Sequence, residues 1–171
     1  MEYELLAAVD LGSNSFRLQV GRVVGDQIYP LDGLREPVRI AAGLTPQKML
    51  DGPSQLRATE ALRRFNERLR GFEPGAVRAV GTNTFRVAKN AAYFLFQAEA
   101  ALGFPIEVIG GREEARLIYL GVAHTLPRPA EQQLVVDIGG GGAGNLTGAH
   151  FVPAAVRTLF RGVGGGGPAF S

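Results

Sequence analysis

Leu5–Asp10 (LLAAVD) is a continuous apolar run ended by a carboxylate, the pattern of a strand covered on both faces. Arg17–Val24, Gln27–Leu34 and Pro37–Ala42 alternate apolar with polar positions and predict three further strands, with turns at Gly25-Asp26 and Asp32-Gly33. The period then lengthens. Leu56, Leu62, Phe65 and Leu69 recur at helical spacing and predict a helix over Ser54–Arg70, capped by Ser54 and stopped by Gly71. Ala76–Gly81 reads as a strand. Asn90–Leu102 reads as a helix with Leu95, Ala98 and Leu102 on one face, ended by Gly103 and Pro105. Ile106–Ile109 predicts a strand and Arg112 to about Ala123 a helix. A proline-bounded loop, Leu126–Ala130, precedes the strand Leu134–Ile138. A strand meander followed by alternating helices and strands implies an α/β fold, a mixed sheet flanked by helices. Ligands of such sheets sit at the carboxyl ends of strands. Tyr93, Phe94 and Phe96 read as packing residues, and His124 and His150 as surface residues.

Composition narrows the field. The 171 residues are 46% hydrophobic and 20% charged, which suits a folded domain. The chain has no Cys, which excludes disulfides, thiolate metal sites and Cys nucleophiles. Eighteen Lys and Arg against sixteen Asp and Glu, dispersed along the chain, give no nucleic-acid signature. No apolar run approaches the roughly 18 residues of a membrane span. The N-terminal Met1-Glu2-Tyr3-Glu4 lacks a signal peptide's basic and apolar regions, so a cytoplasmic location is expected. Glycine is uneven: 13 of 24 lie in residues 1–138 and 11 in residues 139–171. That composition leaves little apolar surface to offset backbone entropy, and predicts a poorly ordered tail over 142–171.

One phrase occurs twice. Ala7-Ala8-Val9-Asp10-Leu11-Gly12-Ser13 and Leu134-Val135-Val136-Asp137-Ile138-Gly139-Gly140 are each an apolar strand, then Asp, an aliphatic residue, Gly and a small residue. Such a repeat suggests two related lobes. Gly allows a tight turn whose successive N–H groups point at an anion, and Ser13, Asn14 and Ser15 add side-chain donors. An Asp at the strand end reaches a phosphate through a bound Mg²⁺. A plain strand-to-turn transition would use the same residues, but two copies after buried strands favour the phosphate cradle.

Four segments carry a resemblance: DLGSNSFRL (Asp10–Leu18), VGTNTFRVAKN (Val80–Asn90), PIEVIGGREEARLIYLGV (Pro105–Val122) and LVVDIGGG (Leu134–Gly141). In this order they resemble the exopolyphosphatase / guanosine pentaphosphate phosphatase (Ppx/GppA) family. The resemblance implies a ribonuclease-H-like lobe of the actin/hexokinase-type ATPase superfamily over 1–125. It implies a linker and the first strand of a second lobe over 126–141, with the active site between lobes. It further implies Mg²⁺-dependent hydrolysis of a terminal phosphoryl group of polyphosphate or guanosine pentaphosphate, by a family often dimeric. Carried over by motif, Glu114 is the general base, Arg86 a phosphate clamp and Asp137 a metal ligand. Asp10, Gly12, Ser13, Asn14 and Ser15 form one phosphate cradle, and Gly139, Gly140 and Gly141 the other. Only one of Glu113 and Glu114 is expected to face the cleft, because neighbouring helical residues diverge by about 100°.

After Gly141 the residues leave the family's pattern. Where the family continues Ser-Thr-Glu, this chain has Gly142, Ala143 and Gly144. The expectation is therefore an N-terminal portion, truncated or frame-shifted after about residue 141, with an unpaired edge on Leu134–Ile138 and reduced or no activity. Two other readings stay open: a lobe that binds phosphate chains without turnover, and an ATP-binding member of the same superfamily.

Overall fold

The computed structural model describes residues 3–125, 133–139, 142–149 and 152–159, as backbone alone beyond Val122. It divides into two compact units, Met1–Gly110 and Gly111–Ser171.

The first unit is a five-stranded sheet with helices over one face. Its strands are β1 (Leu5–Leu11), β2 (Phe16–Val24), β3 (Gln27–Glu36), β4 (Val77–Gly81) and β5 (Ile106–Val108), in the order β3-β2-β1-β4-β5. β1 pairs antiparallel with β2, and β2 with β3; β1 pairs parallel with β4, and β4 with β5. The sheet is therefore mixed, as the element order implies. Alternation puts Ala7, Val9 and Leu11, Phe16, Leu18 and Val20, and Val77 and Ala79 in the core. Asp10 and Arg17, a cross-strand pair, lie on the opposite, exposed side.

Three helices cover the core face: α1 (Gly52–Arg68), α2 (Asn83–Val87) and α3 (Ala91–Leu102). α1 contributes Ala58, Ala61, Leu62 and Phe65, and α3 contributes Phe94, Ala98 and Leu102. Phe94 stacks on Phe85 of α2, with ring centroids 5.8 Å apart. Such burial is worth about 1.5–3 kcal/mol per large side chain. α3 closes as its sequence predicts: Gly103 adopts the left-handed conformation, and Asn66 of α1 donates to the Leu102 carbonyl.

Several expectations are corrected. Pro37–Ala42 is not a strand: Arg39 turns left-handed (φ 51°), and Ile40–Gly43 forms a 3₁₀ turn that still buries Val38 and Ile40. Asp32-Gly33 is no hairpin turn but lies within β3. The register shifts at Val20/Gly21, so that Val20 faces Asp32 and Gly21 faces Pro30, and the bulge absorbs Leu31. Asp51, not Ser54, caps α1 by accepting from the Ser54 amide at 2.8 Å. Tyr93 and Phe96 are exposed, leaving Phe94 as the packing aromatic of the three, and Leu56 is exposed as well. α2, five residues long, was too short to show a period.

The second unit opens with α4 (Gly111–Thr125) and continues as an antiparallel sheet β6-β7-β8: β6 (Gln133–Gly139), β7 (Gly142–Ala149) and β8 (Val152–Leu159). Here the expected unpaired edge on Leu134–Ile138 is revised. Much of 142–159 is strand, and β6 is partnered by β7 along its length. His150 and residues 160–171 lie outside the described residues.

The first two strands of each meander repeat one another at a constant offset of 127 residues. Leu11 pairs with Phe16, and Ile138 with Ala143; Asp10 faces Arg17, and Asp137 faces Gly144. The register shift at Val20/Gly21 recurs at Thr147/Gly148. The repeat thus extends beyond the phrase that announced it.

Candidate functional site

The carboxyl ends of β1 and β4 meet at the Gly12–Ser15 turn. Gly12 is required there: a Cβ would lie 2.9 Å from the Ser15 carbonyl oxygen and 3.6 Å from an Asp10 carboxylate oxygen. The turn is held by its carbonyls. The Ser13 carbonyl accepts from the Ala41 amide at 3.0 Å, and the Asn14 carbonyl from the Arg39 amide at 2.8 Å. The amides of Ser13, Asn14 and Ser15 donate to no acceptor among the described residues. A turn whose Ser13 and Asn14 carbonyls are engaged and whose successive N–H groups remain available can accommodate an anion.

Side chains fix the turn from two directions. Ser13 Oγ and Thr84 Oγ1 are 2.8 Å apart, joining the β1 end to α2. Buried Ser15 accepts from Arg35 Nε at 3.3 Å. Thr82, 8% exposed at the end of β4, has no hydroxyl partner among the described residues. It is a further polar group that sequence reading passed over. Only its place after a strand, two residues from Thr84, could have marked it.

Arg86 projects from α2 and is half-buried. Its Nη1 donates to the Ile109 carbonyl at 2.7 Å, beyond the end of β5. Asn83 Oδ1 lies 3.5 Å from Nη2. The guanidinium is thereby oriented rather than free to swing. Asp10, Gly12, Ser13, Asn14, Ser15 and Arg86 thus belong to one described unit, around the ends of adjacent strands.

The remaining predicted residues belong to the second unit. Glu113 and Glu114 open α4, where the helix dipole favours acids. Arg116 grips Glu113 with both arms, Nε to Oε2 at 2.8 Å and Nη2 to Oε1 at 2.7 Å, and this bonding raises the Arg116 pKa. Glu113 is thus engaged along its own helix, while half-buried Glu114 is the neighbour without this clamp from Arg116. Asp137 and Gly139 lie on β6, with Gly144 as the cross-strand partner of Asp137. Gly140 and Gly141 lie outside the described residues.

This sheet order, with β2 antiparallel to the other four strands, defines a ribonuclease-H-like fold. Comparison with known proteins makes the assignment narrower. The family described as Ppx/GppA phosphatase matches residues 19–162, past the glycine run. The Ppx/GppA enzyme of Aquifex aeolicus is 28% identical with a TM-score of 0.82, over 92% of this chain and 52% of that one. An exopolyphosphatase from Cytophaga hutchinsonii is 25% identical with a TM-score of 0.84, over 92% and 51%. The ethanolamine utilization protein EutJ from Carboxydothermus hydrogenoformans, 19% identical with a TM-score of 0.52 over 95% and 54%, shares the fold alone. The chain belongs to the Ppx/GppA phosphatase family, and spans about half the length of the solved structures it matches. Among the described residues no helix is long and apolar enough to cross a membrane.

Proposed function

We propose that the chain carries the phosphate-binding lobe of a phosphohydrolase that releases the terminal phosphate of inorganic polyphosphate or of guanosine pentaphosphate. The observation that carries this reading is the Gly12–Ser15 turn, with carbonyls engaged and amides available, in a member of a phosphatase family.

In this reading the amides of the turn and the oriented Arg86 guanidinium hold the terminal phosphoryl oxygens. Glu114 accepts a proton from water. The water oxygen bonds to the terminal phosphorus, the bridging P–O bond breaks, and its electron pair leaves on the shortened chain. Asp10 is exposed at the strand end beside Gly12, an oxygen donor suited to a hard cation. Asp10, and Asp137 within its own unit, are each a carboxylate that would hold Mg²⁺, which completes its shell with water and phosphate oxygens. When bound it neutralises charge on the phosphates.

A second reading, binding with little turnover, is favoured by the second turn. Gly144 sits across from Asp137, at the position where the family carries Glu. Cross-strand partners lie about 5 Å apart, so a carboxylate there would stand beside Asp137.

The test pairs binding with release. Tripolyphosphate binding in Mg²⁺, followed by calorimetry, should weaken at least about tenfold in Arg86→Ala, since each charge-assisted bond contributes about 1.5–3 kcal/mol. Phosphate release from long-chain polyphosphate should vanish in Glu114→Gln. Unchanged binding in a folded Arg86→Ala protein would overturn the phosphate site. Release unaffected by Glu114→Gln would overturn the assignment of the base.

A further inference from the structure

Three chain segments close around the Gly12–Ser15 turn, and none contains a carboxylate: residues 11–25, 37–50 and 82–98. They are tied to one another by backbone bonds. Arg39 donates to the Asn14 carbonyl, and Lys89 to the Lys48 carbonyl at 2.8 Å. Leu44 and Leu50 form an isolated bridge, and the Leu50 amide and carbonyl are both bonded to the Asn90 side chain.

Three cations stand on this rim: Arg39, Lys48 and Lys89, all exposed. None has a carboxylate within ion-pair distance among the described residues. In the same unit Arg64 pairs with Glu36, Arg68 with Asp32, Arg78 with Glu107 and Arg22 with Glu4, while exposed Arg17, Arg63 and Arg70, like the rim cations, have no ion pair among the described residues. Arg39 and Lys48 are also the two described non-glycine residues with positive φ, 51° and 62°. Left-handed backbone at a long side chain persists only where surrounding bonds impose it. Here those bonds run to the anion turn and to the segment bearing Arg86.

We infer that Arg39, Lys48 and Lys89 form a distal-phosphate ridge that selects long phosphate chains over short ones, holding phosphates beyond the terminal one seated at the Gly12–Ser15 turn. The inference rests on the phosphate-site reading above but concerns other residues. A single phosphate or a triphosphate occupies the turn without needing the ridge. A long linear polyanion gains contacts that grow with its length. Such contacts are strongly salt-dependent, because each neutralised anionic charge releases counterions on binding.

The experiment compares tripolyphosphate with long-chain polyphosphate on the folded chain and on Lys48→Asn/Lys89→Gln, Asn being tolerant of the left-handed backbone. Long-chain affinity should fall about tenfold, with a shallower salt dependence by roughly one to two units of slope. Tripolyphosphate affinity should be unchanged. The variant Lys48→Asn/Lys89→Arg should recover part of the loss, which a merely structural role of the lysines would not produce. Equal losses for both ligands, or no loss for either, would overturn the ridge. Weak tripolyphosphate binding by the unmodified chain, with long-chain binding still dependent on the lysines, would keep the ridge and sink the turn. Single-stranded DNA binding with the same affinity and the same loss would mark a general polyanion surface and overturn the assignment.

Discussion

The turn after β1 and the turn after β6 are built on one scaffold and furnished differently. Both follow an apolar strand ending in Asp-aliphatic-Gly, both lead into an antiparallel strand, and both meanders carry a bulge at the same offset. In the first, Ser13 and Ser15 reach Thr84 and Arg35. In the second the matching positions are Gly140 and Gly142. The strand phrase specifies how the chain reverses. The residues inside the turn decide whether the reversal carries chemistry. A glycine run preserves the first property and dilutes the second.

The comparison can be broken most forcefully by refurnishing the poorer turn. Gly142→Ser/Ala143→Thr/Gly144→Glu should raise Mg²⁺-dependent phosphate release by about 100-fold, the scale of one preorganised charge-stabilising group. An unchanged rate would mean that the second turn does not limit turnover. Next comes Gly12→Ala. Its methyl would meet the Ser15 carbonyl at 2.9 Å, so the turn must shift. A loss of about 1–3 kcal/mol in urea unfolding is expected, together with loss of tripolyphosphate binding. Ser13→Ala removes the link to Thr84. It should lower stability by about 1 kcal/mol, read as a lower unfolding midpoint, and weaken binding less than Gly12→Ala does.

The smallest effect is one of pH. The Ser54 bonds, chiefly that to its side chain, hold the Asp51 carboxyl below its ordinary value of 3.8. A carboxyl depressed in the folded state adds stability above its unfolded pKa and loses it as pH falls through the folded value. Asp51→Asn should therefore flatten the acid limb of the stability curve below about pH 4, while the neutral limb keeps its shape.

Much of this was legible in the sequence. The β1 run, the α3 stripe with its Gly103 stop, and the doubled phrase each use short-range rules, and each element appears near its expected bounds. The misreadings share one cause. Arg39 is driven left-handed by bonds to the β1 turn, Leu31 is absorbed by a bulge set by its partner strand, and α2 is held by its packing with Phe16 and Phe94. Each depends on residues far along the chain, which local pattern does not contain. The same holds for the site. Asp10, Gly12 and the serines stood out by motif, but Thr84 and the Arg39–Lys48–Lys89 rim become visible only once three distant segments are brought together. Past the glycine run, β7 and β8 find their partners in the meander they continue.

The Ser13–Thr84 bond joins residues 71 positions apart, and the Asn14–Arg39 and Lys48–Lys89 bonds likewise close loops. Closing such loops spends chain entropy before it returns any contact, and nonlocal closure is slow. Anion capture is therefore expected to be among the last properties gained during refolding and among the first lost in partial opening. A phosphate ligand bound as proposed would then act as a latch on the completed fold, slowing its opening the more fully the turn is occupied.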